Sequence, residues 1–191
     1  MTKIDIFRFF RNPPEIKTDR LVLRRMKRTD ADDMYEYARR PEVTTYLLWS
    51  PHKNKQFTER YLSYLQSRYR LGEFYDWAVT MKDSGKMIGT CGFTSFDFAN
   101  NSAEIGYVLN PDYWGQGIAP EAMNAVIGVG FLTLGFHRIE AKYMEGNERS
   151  RRAAEKVGMT FEGVSKGAMI IKGKYESIGV SAILAEEYGK K

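Results

Sequence analysis

Between residues 103 and 144 the chain reads strand, glycine-rich turn, helix, strand, an order that favours two parallel strands joined by a helical crossover. Ala103-Glu104-Ile105-Gly106-Tyr107-Val108-Leu109 has a strand pattern and is stopped by Asn110-Pro111. Pro120 and Glu121 suit a first helical turn. Met123, Val126, Ile127, Phe131 and Leu134 form one apolar stripe, and Gly135 supplies the stop before a strand over 138–144. The turn itself, Trp114-Gly115-Gln116-Gly117-Ile118-Ala119, exposes backbone N–H groups beside the positive end of a helix, an arrangement that binds phosphate. A tight turn with no ligand is the plain alternative. The loop is not a Walker loop, because Gly117 is followed by Ile118 and Ala119 where Lys and Ser or Thr are needed. Nor is it the dinucleotide fingerprint, whose third glycine or alanine would fall on Pro120 and whose strand comes early in the chain.

The rest of the chain fits around this unit. Arg20-Leu21-Val22-Leu23-Arg24 alternates charged and apolar residues as a half-buried strand does. Thr29-Asp30 offers an N-cap for a helix over 31–40, which should end before Pro41. Residues 47–49 read as a loop. Phe57, Tyr61, Leu62, Leu65 and Tyr69 recur at helical spacing up to Gly72. Strands over 76–81 and 86–96 flank Lys82-Asp83-Ser84-Gly85, a hairpin turn composition. A short basic helix over 148–157 and strands near 159–171 and 175–186 close the chain, giving a mixed α/β fold with one sheet. Pro13-Pro14 separate residues 1–15, an arm, from one domain over 16–191. With Ile6, Phe7, Phe9 and Phe10 the arm is either a helix or an added strand, covering its own sheet or docking on a partner.

Composition removes several chemistries. A single cysteine, Cys91, forbids an intrachain disulfide and a thiolate cluster, and reads as a buried small hydrophobe. His52 and His137 are the two imidazoles, too few for a zinc site or a serine triad. The net charge of +5 leaves anionic partners open without pointing to nucleic acid. No stretch approaches the roughly 20 apolar residues of a membrane span, and Asp5, Arg8 and Arg11 break up a secretory signal. A cytoplasmic setting with no membrane partner is expected.

The turn resembles the coenzyme A pyrophosphate loop of the GCN5-related N-acetyltransferases, whose signature is Gln/Arg-x-x-Gly-x-Gly/Ala at the start of the central helix. Gly117 and Ala119 match its last fixed positions, and Trp114 stands where Gln or Arg is usual. Thr18-Asp19-Arg20-Leu21-Val22-Leu23-Arg24 is similar to the opening strand of the ribosomal-protein N-terminal acetyltransferase branch, and Ala103 to Tyr107 to its fourth strand. Asn147-x-x-Ser150, followed by Gly158-Met159-x-Phe161-Glu162-Gly163, is similar to the segment after its fifth. The likeness runs over residues 16–188. It implies an α/β acyl-coenzyme-A N-acyltransferase fold whose fourth and fifth strands splay apart, with the pantetheine arm inserted between them. It further implies that Val108, Leu109 and Asn110 bind the cofactor through their backbone, that Trp114, Gly115, Gln116, Gly117, Ile118 and Ala119 form its phosphate loop, and that Asn147 contacts it through its side-chain amide. Without the family, these would read as a strand end before Pro111, a turn and a loop asparagine.

The reaction implied is direct transfer of an acetyl group from acetyl-coenzyme A to a primary amine, with no metal. It needs a neutral amine, a positioned carbonyl and a partner for the departing thiolate. Neutralising an α-amine at pH 7 costs about 1 kcal/mol, against about 4–5 for a lysine. With the resemblance to the ribosomal-protein branch, this cost makes a protein N-terminus, such as that of a ribosomal protein, the expected acceptor. A polyamine, amino sugar or antibiotic is the alternative within the same chemistry, and a non-catalytic acyl-coenzyme-A or RNA-binding module is the alternative outside it. Glu104, in a context similar to the glutamate base of the family's histone-modifying members, is the expected base, directly or through water; a salt-bridged strand carboxylate is the alternative. Many relatives carry a tyrosine acid seven residues beyond the asparagine, but that position is Ala154. Ser150 matches a serine that the ribosomal-protein branch places near the coenzyme sulfur and is the expected acid, unless it only caps a helix starting near Arg151. Tyr46, Trp49 and Trp77 are expected to line the amine entrance. Arg149, Arg151, Arg152 and Lys156 read mainly as a solvated helix face. Direct nucleic-acid binding is not expected, and the chain is expected to be a monomer or homodimer.

Overall fold

The computed structural model describes residues 2–190, so Met1 and Lys191, the outer ends of the expected arm and domain, lie outside the described residues. The arm is helical. In α1 (Lys3–Arg11) the Thr2 hydroxyl accepts from the Asp5 N–H while the Asp5 carboxylate takes the Thr2 N–H, a reciprocal cap that satisfies two otherwise orphaned donors. Ile6 and Phe10 on one face of α1 are buried against the sheet. Phe10 meets the rings of Tyr75, Trp77 and Phe93 edge-on, at centroid distances of 5.0, 5.3 and 6.3 Å.

The remaining elements are β1 (Ile16–Lys17), β2 (Leu21–Arg24), α2 (Ala31–Ala38), α3 (Pro41–Thr44), α4 (Lys55–Leu71), β3 (Asp76–Met81), β4 (Met87–Asp97), β5 (Ser102–Leu109), α5 (Ile118–Gly128), β6 (Arg138–Met144), α6 (Glu148–Lys156), β7 (Thr160–Ile171) and β8 (Lys174–Leu184). They build one open mixed sheet in the order β1-β2-β3-β4-β5-β6-β8-β7. Two elements differ from the sequence reading. Residues 41–44, to which the sequence assigns no element, wind into the short α3 behind Pro41, whose fixed φ suits a first helical turn. The central helix ends at Gly128 and continues as a π-helical turn over Val129–Thr133; Phe131 and Leu134 stay buried, so the apolar stripe did not register the change of winding.

Strand alternation sends apolar residues to both faces. α1, α5 and α6 cover one face, packing on Leu21, Leu23, Trp77, Val79, Ile105 and Ile139. α2 and α4 cover the other, where Met34, Tyr37, Leu62, Leu65 and Tyr69 enclose Ala78 and Met87. Among the described residues the one parallel contact in the sheet, β5 with β6, pairs only Ser102–Ile105 with Arg138–Ala141. Beyond it each strand stays with its outer neighbour, β5 with β4 through Leu109 and β6 with β8 through Met144. The two strands therefore part in the middle of the sheet, just where the crossover to α5 begins.

Because Phe10 sits at the centre of the aromatic cluster, Phe10→Ala is expected to lower unfolding free energy by about 3–5 kcal/mol, measured by urea denaturation. A loss under about 1 kcal/mol would show the arm to be an appendage.

Candidate active site

The glycine turn ends on an open helix terminus. Gly115 and Gly117 have φ of 77° and 76°, left-handed backbone that glycine enters without a Cβ penalty. No side chain caps α5. The N–H groups of Gly117, Ile118 and Ala119 are thus left without an intrahelical partner, while Pro120 has no N–H to offer. The Gln116 amide folds back to donate to the Asp112 carbonyl at 2.9 Å, so it contributes backbone, not side chain, to the loop. Arg20 fixes this end of α5. Its Nε donates to Glu121 Oε2 at 2.7 Å and its Nη1 to the Gln116 carbonyl at 2.9 Å, and Thr18 donates to Glu121 Oε1 at 2.6 Å. Burial opposes ionisation of Glu121, but the hydrogen bonds from Thr18 and Arg20 win and hold its carboxyl below the ordinary range.

Trp114 works in a different way from the Gln or Arg of the resembling signature. Its indole N–H donates to the Leu109 carbonyl at 2.9 Å, and the Arg149 guanidinium lies 4.1 Å from its ring centroid. The turn is thereby tied to the end of β5. Asn110 corrects an expectation: it is fully buried, its N–H donates to the Ile88 carbonyl at 2.7 Å, and its side chain bonds Glu36, the Asp112 N–H and Arg40. By the alternation of an antiparallel ladder, the Val108 backbone groups also face β4. A Cβ at Gly89 would indeed overlap the Val108 carbonyl. Of the three residues expected to meet a ligand through their backbone, only Leu109 faces the gap, through its N–H, and Tyr107 faces it as well.

A cleft of about 290 Å³ opens where β5 and β6 part, lined among others by Tyr46, Trp49, Glu104, Tyr107, Asn147 and Ser150. The Glu104 carboxylate accepts from the Thr94 hydroxyl at 2.7 Å and from Lys142 Nζ at 3.1 Å. It is thus a paired carboxylate that also lines the cleft. Asn147, not Ser150, caps α6: its Oδ1 accepts from the Ser150 N–H at 3.3 Å. Ser150 sits in the first turn with its hydroxyl 3.5 Å from that of Tyr107. Trp77 is not at the entrance. It is buried on the opposite face, where its indole N–H donates to the Pro14 carbonyl at 2.9 Å. Ala154 is buried among apolar neighbours, and Cys91 is buried with its thiol pushed up by burial.

Two cleft residues escaped the sequence reading. Tyr107 supplies a phenol next to Ser150 from the neighbouring strand, with burial raising its pKa against a smaller opposing effect of the Ser150 hydroxyl. It stood within the Ala-Glu-Ile-Gly-Tyr segment, three residues from Glu104 and so on the other face of β5, which is the available signal. Asp76 opens β3 and lines the cleft from the α2 and α4 side. It faces the cleft and not open solvent, and burial pushes its carboxyl up to about 7.

Residues 20–160 match the acetyltransferase (GNAT) domain family. The uncharacterized N-acetyltransferase p20 of Bacillus licheniformis is 33% identical over 171 residues, covering 90% of this chain and 96% of that protein. The [ribosomal protein uS5]-alanine N-acetyltransferase of Escherichia coli (strain K12) is 24% identical over 192 residues, covering 96% and 98%. Among solved structures, a GNAT-family acetyltransferase from Bacillus anthracis superposes with a TM-score of 0.81 at 28% identity, covering 91% of this chain and all of that one.

The Asp76 carboxyl gives a signed pH effect. Its folded value of about 7 lies above the ordinary 3.8, so the folded state holds a proton that the unfolded state releases. The associated stability is present below about pH 4 and is lost as pH rises through 7. Asp76→Asn is therefore expected to raise the melting temperature relative to the parent at pH 8 and to change it little at pH 4. An unchanged difference at the two pH values would contradict the burial of this carboxyl.

Proposed function

The chain belongs to the GNAT acetyltransferase family and is an acetyl-transferring enzyme, and from that premise we propose that it moves the acetyl group of acetyl-coenzyme A onto the N-terminal amine of a protein, such as a ribosomal protein. The observation that carries this reading is the parting of β5 and β6 next to the uncapped start of α5. The residues present fit the cofactor. Unpaired strand groups at Tyr107 and Leu109 suit an extended pantetheine arm. The free N–H groups of Gly117, Ile118 and Ala119 suit its pyrophosphate, with Arg20 beside them as a counter-charge. The Asn147 side-chain oxygen is engaged at the α6 cap, which leaves its NH₂ to bind the arm. When bound, acetyl-coenzyme A supplies an acyl group already activated as a thioester.

The chain's own groups then have three tasks. Tyr107 and Ser150 stand together as hydroxyl donors for the departing sulfur. Glu104, held by Thr94 and Lys142, orients the amine or the water that takes its proton. Tyr46 and Trp49 border the side from which the amine enters. An α-amine suits so modest a base, since reaching its neutral form at pH 7 costs only about 1 kcal/mol. The alanine N-acetyltransferase relative, which acts on ribosomal protein uS5, supports the choice of acceptor.

Incubation with acetyl-coenzyme A and peptides should add acetyl, read by mass spectrometry, to free N-terminal amines in preference to lysine side chains of N-blocked peptides at pH 7. Preference for the lysines would overturn the acceptor assignment. Tyr107→Phe combined with Ser150→Ala should lower kcat by about 100-fold with coenzyme A affinity retained, the size of a lost general acid. An unchanged kcat would remove both hydroxyls from the chemistry.

A further inference from the structure

The cleft is not the whole of the acceptor side. A second chamber of about 370 Å³ opens beside it, walled by Met34, Tyr37, Trp49, Pro51, Phe57 and Tyr61. Trp49, Asp76, Thr90 and Val108 line both spaces and so form the passage between them. The size is at the small end for ligand sites, and the walls are mostly apolar and aromatic with few polar groups, the usual makeup of such a site.

Asp76 is the charged group in this passage, and its carboxylate lacks a partner. Among the described residues no donor hydrogen-bonds its carboxylate and no cation forms an ion pair with it, whereas Glu104 at the other end of the cleft is paired with Lys142. Its backbone is held in place, because the buried Tyr69 hydroxyl donates to the Asp76 carbonyl at 2.7 Å. Gly92 lies against this segment: a Cβ there would overlap the Tyr75 carbonyl, the Asp76 Cα and Asp76 Oδ1. A half-buried carboxylate without a partner in this passage is held at a cost, and a cationic ligand would reduce that cost.

The other titratable groups around the passage leave this negative charge uncompensated. His52 lies among Trp49, Phe57 and Tyr61 with its Nδ1 2.8 Å from the Thr58 hydroxyl, and burial lowers its pKa so that it is neutral. Burial raises the phenols of Tyr37, Tyr61 and Tyr69, which are neutral too. The Tyr37 hydroxyl is buried with no hydrogen-bond partner, a second polar group awaiting one. Lys53 is the one cation lining the chamber and is exposed, at its solvent side.

We propose that Asp76 and the adjoining aromatic chamber form the acceptor subsite, which takes a primary ammonium bearing an apolar, ring-sized substituent: the ammonium pairs with Asp76 and the substituent fills the chamber. This deepens the acetyl-transfer reading and rests on it. The pairing holds the amine in the passage that leads to Tyr107 and Ser150, while the chamber selects what the amine carries. Such a ligand is either a free arylalkylamine or the first residue of a peptide with an apolar side chain.

The test is binding to the full chain without acetyl-coenzyme A, by isothermal titration calorimetry at pH 8. The probes are 2-phenylethylamine, phenylalanyl-glycinamide, 2-phenylethanol and ethylamine. The parent protein should bind at least one of the two aromatic amines about 10-fold or more tightly than the alcohol and than ethylamine, and Asp76→Asn should lose the factor over the alcohol while binding the alcohol unchanged, as for a lost charge-assisted contact. Whichever aromatic amine binds better identifies the source as free amine or peptide end. Equal affinity for the amine and the alcohol, or an unaltered amine affinity in Asp76→Asn, would overturn the subsite. Thiol release with acetyl-coenzyme A separates the two readings. Aromatic amines that bind through Asp76 but release no thiol leave the subsite standing and remove the transfer reading. Thiol release with equal kcat/KM in parent and Asp76→Asn does the reverse.

Discussion

The parting of β5 and β6 governs the rest of this molecule. Four residue pairs hold the two strands together, and then each follows its outer partner, leaving backbone groups in mid-sheet with nothing to bond. Buried backbone N–H and C=O groups are almost always satisfied, so a gap of this kind is a place built for another chain-like molecule. The separation is maintained from both sides. Asn110 ties the end of β5 to β4 and α2 through Ile88 and Glu36, and Trp114 closes on the Leu109 carbonyl. On the far side β6 is held to β8 along its length, from Arg138 to Met144.

The same constraint divides the work between the faces of the sheet. Alternation along β5 sends Tyr107 toward α6, where Ser150 waits in the first helical turn, and sends Glu104 and Val108 toward the face covered by α2 and α4. The Arg20–Glu121 pair sets the start of α5 and places the Arg20 guanidinium N–H groups beside the turn. Because Arg20 is half exposed, its contribution to stability is small and its worth lies in position. The groups lining the cleft and the adjoining chamber come from segments far apart in sequence: Asp76 from the first strand of a hairpin, Trp49 from the loop before α4, Tyr61 from α4 itself.

Much of the fold could be read from local pattern. Alternation gave β2, turn composition gave the β3–β4 hairpin and the bounds of β5, helical spacing gave α4 and α5, and the strand–turn–helix–strand order located the parallel pair. What escaped depends on contacts between distant residues. Trp77 and Trp49 look alike as lone aromatics, yet one is locked to Pro14 in the core and the other borders the cleft. Asn110 reads as a strand end until Arg40, seventy residues earlier, comes into contact with it. Asp76 reads as a polar strand start, and its burial exists only once α2 and α4 are folded over it. Ser150 was legible as a polar residue in a capping segment, but its freedom depends on Asn147 taking the cap three residues earlier.

The central claim is that the gap between β5 and β6, with the turn before α5, receives the cofactor. Amide hydrogen exchange on adding coenzyme A tests it most directly. New protection is expected at Tyr107, Leu109 and Gly117 to Ala119, with α1, which packs on Tyr75, Trp77 and Phe93 away from the gap, unchanged. Protection confined to other segments, or none at saturating coenzyme A, would contradict it.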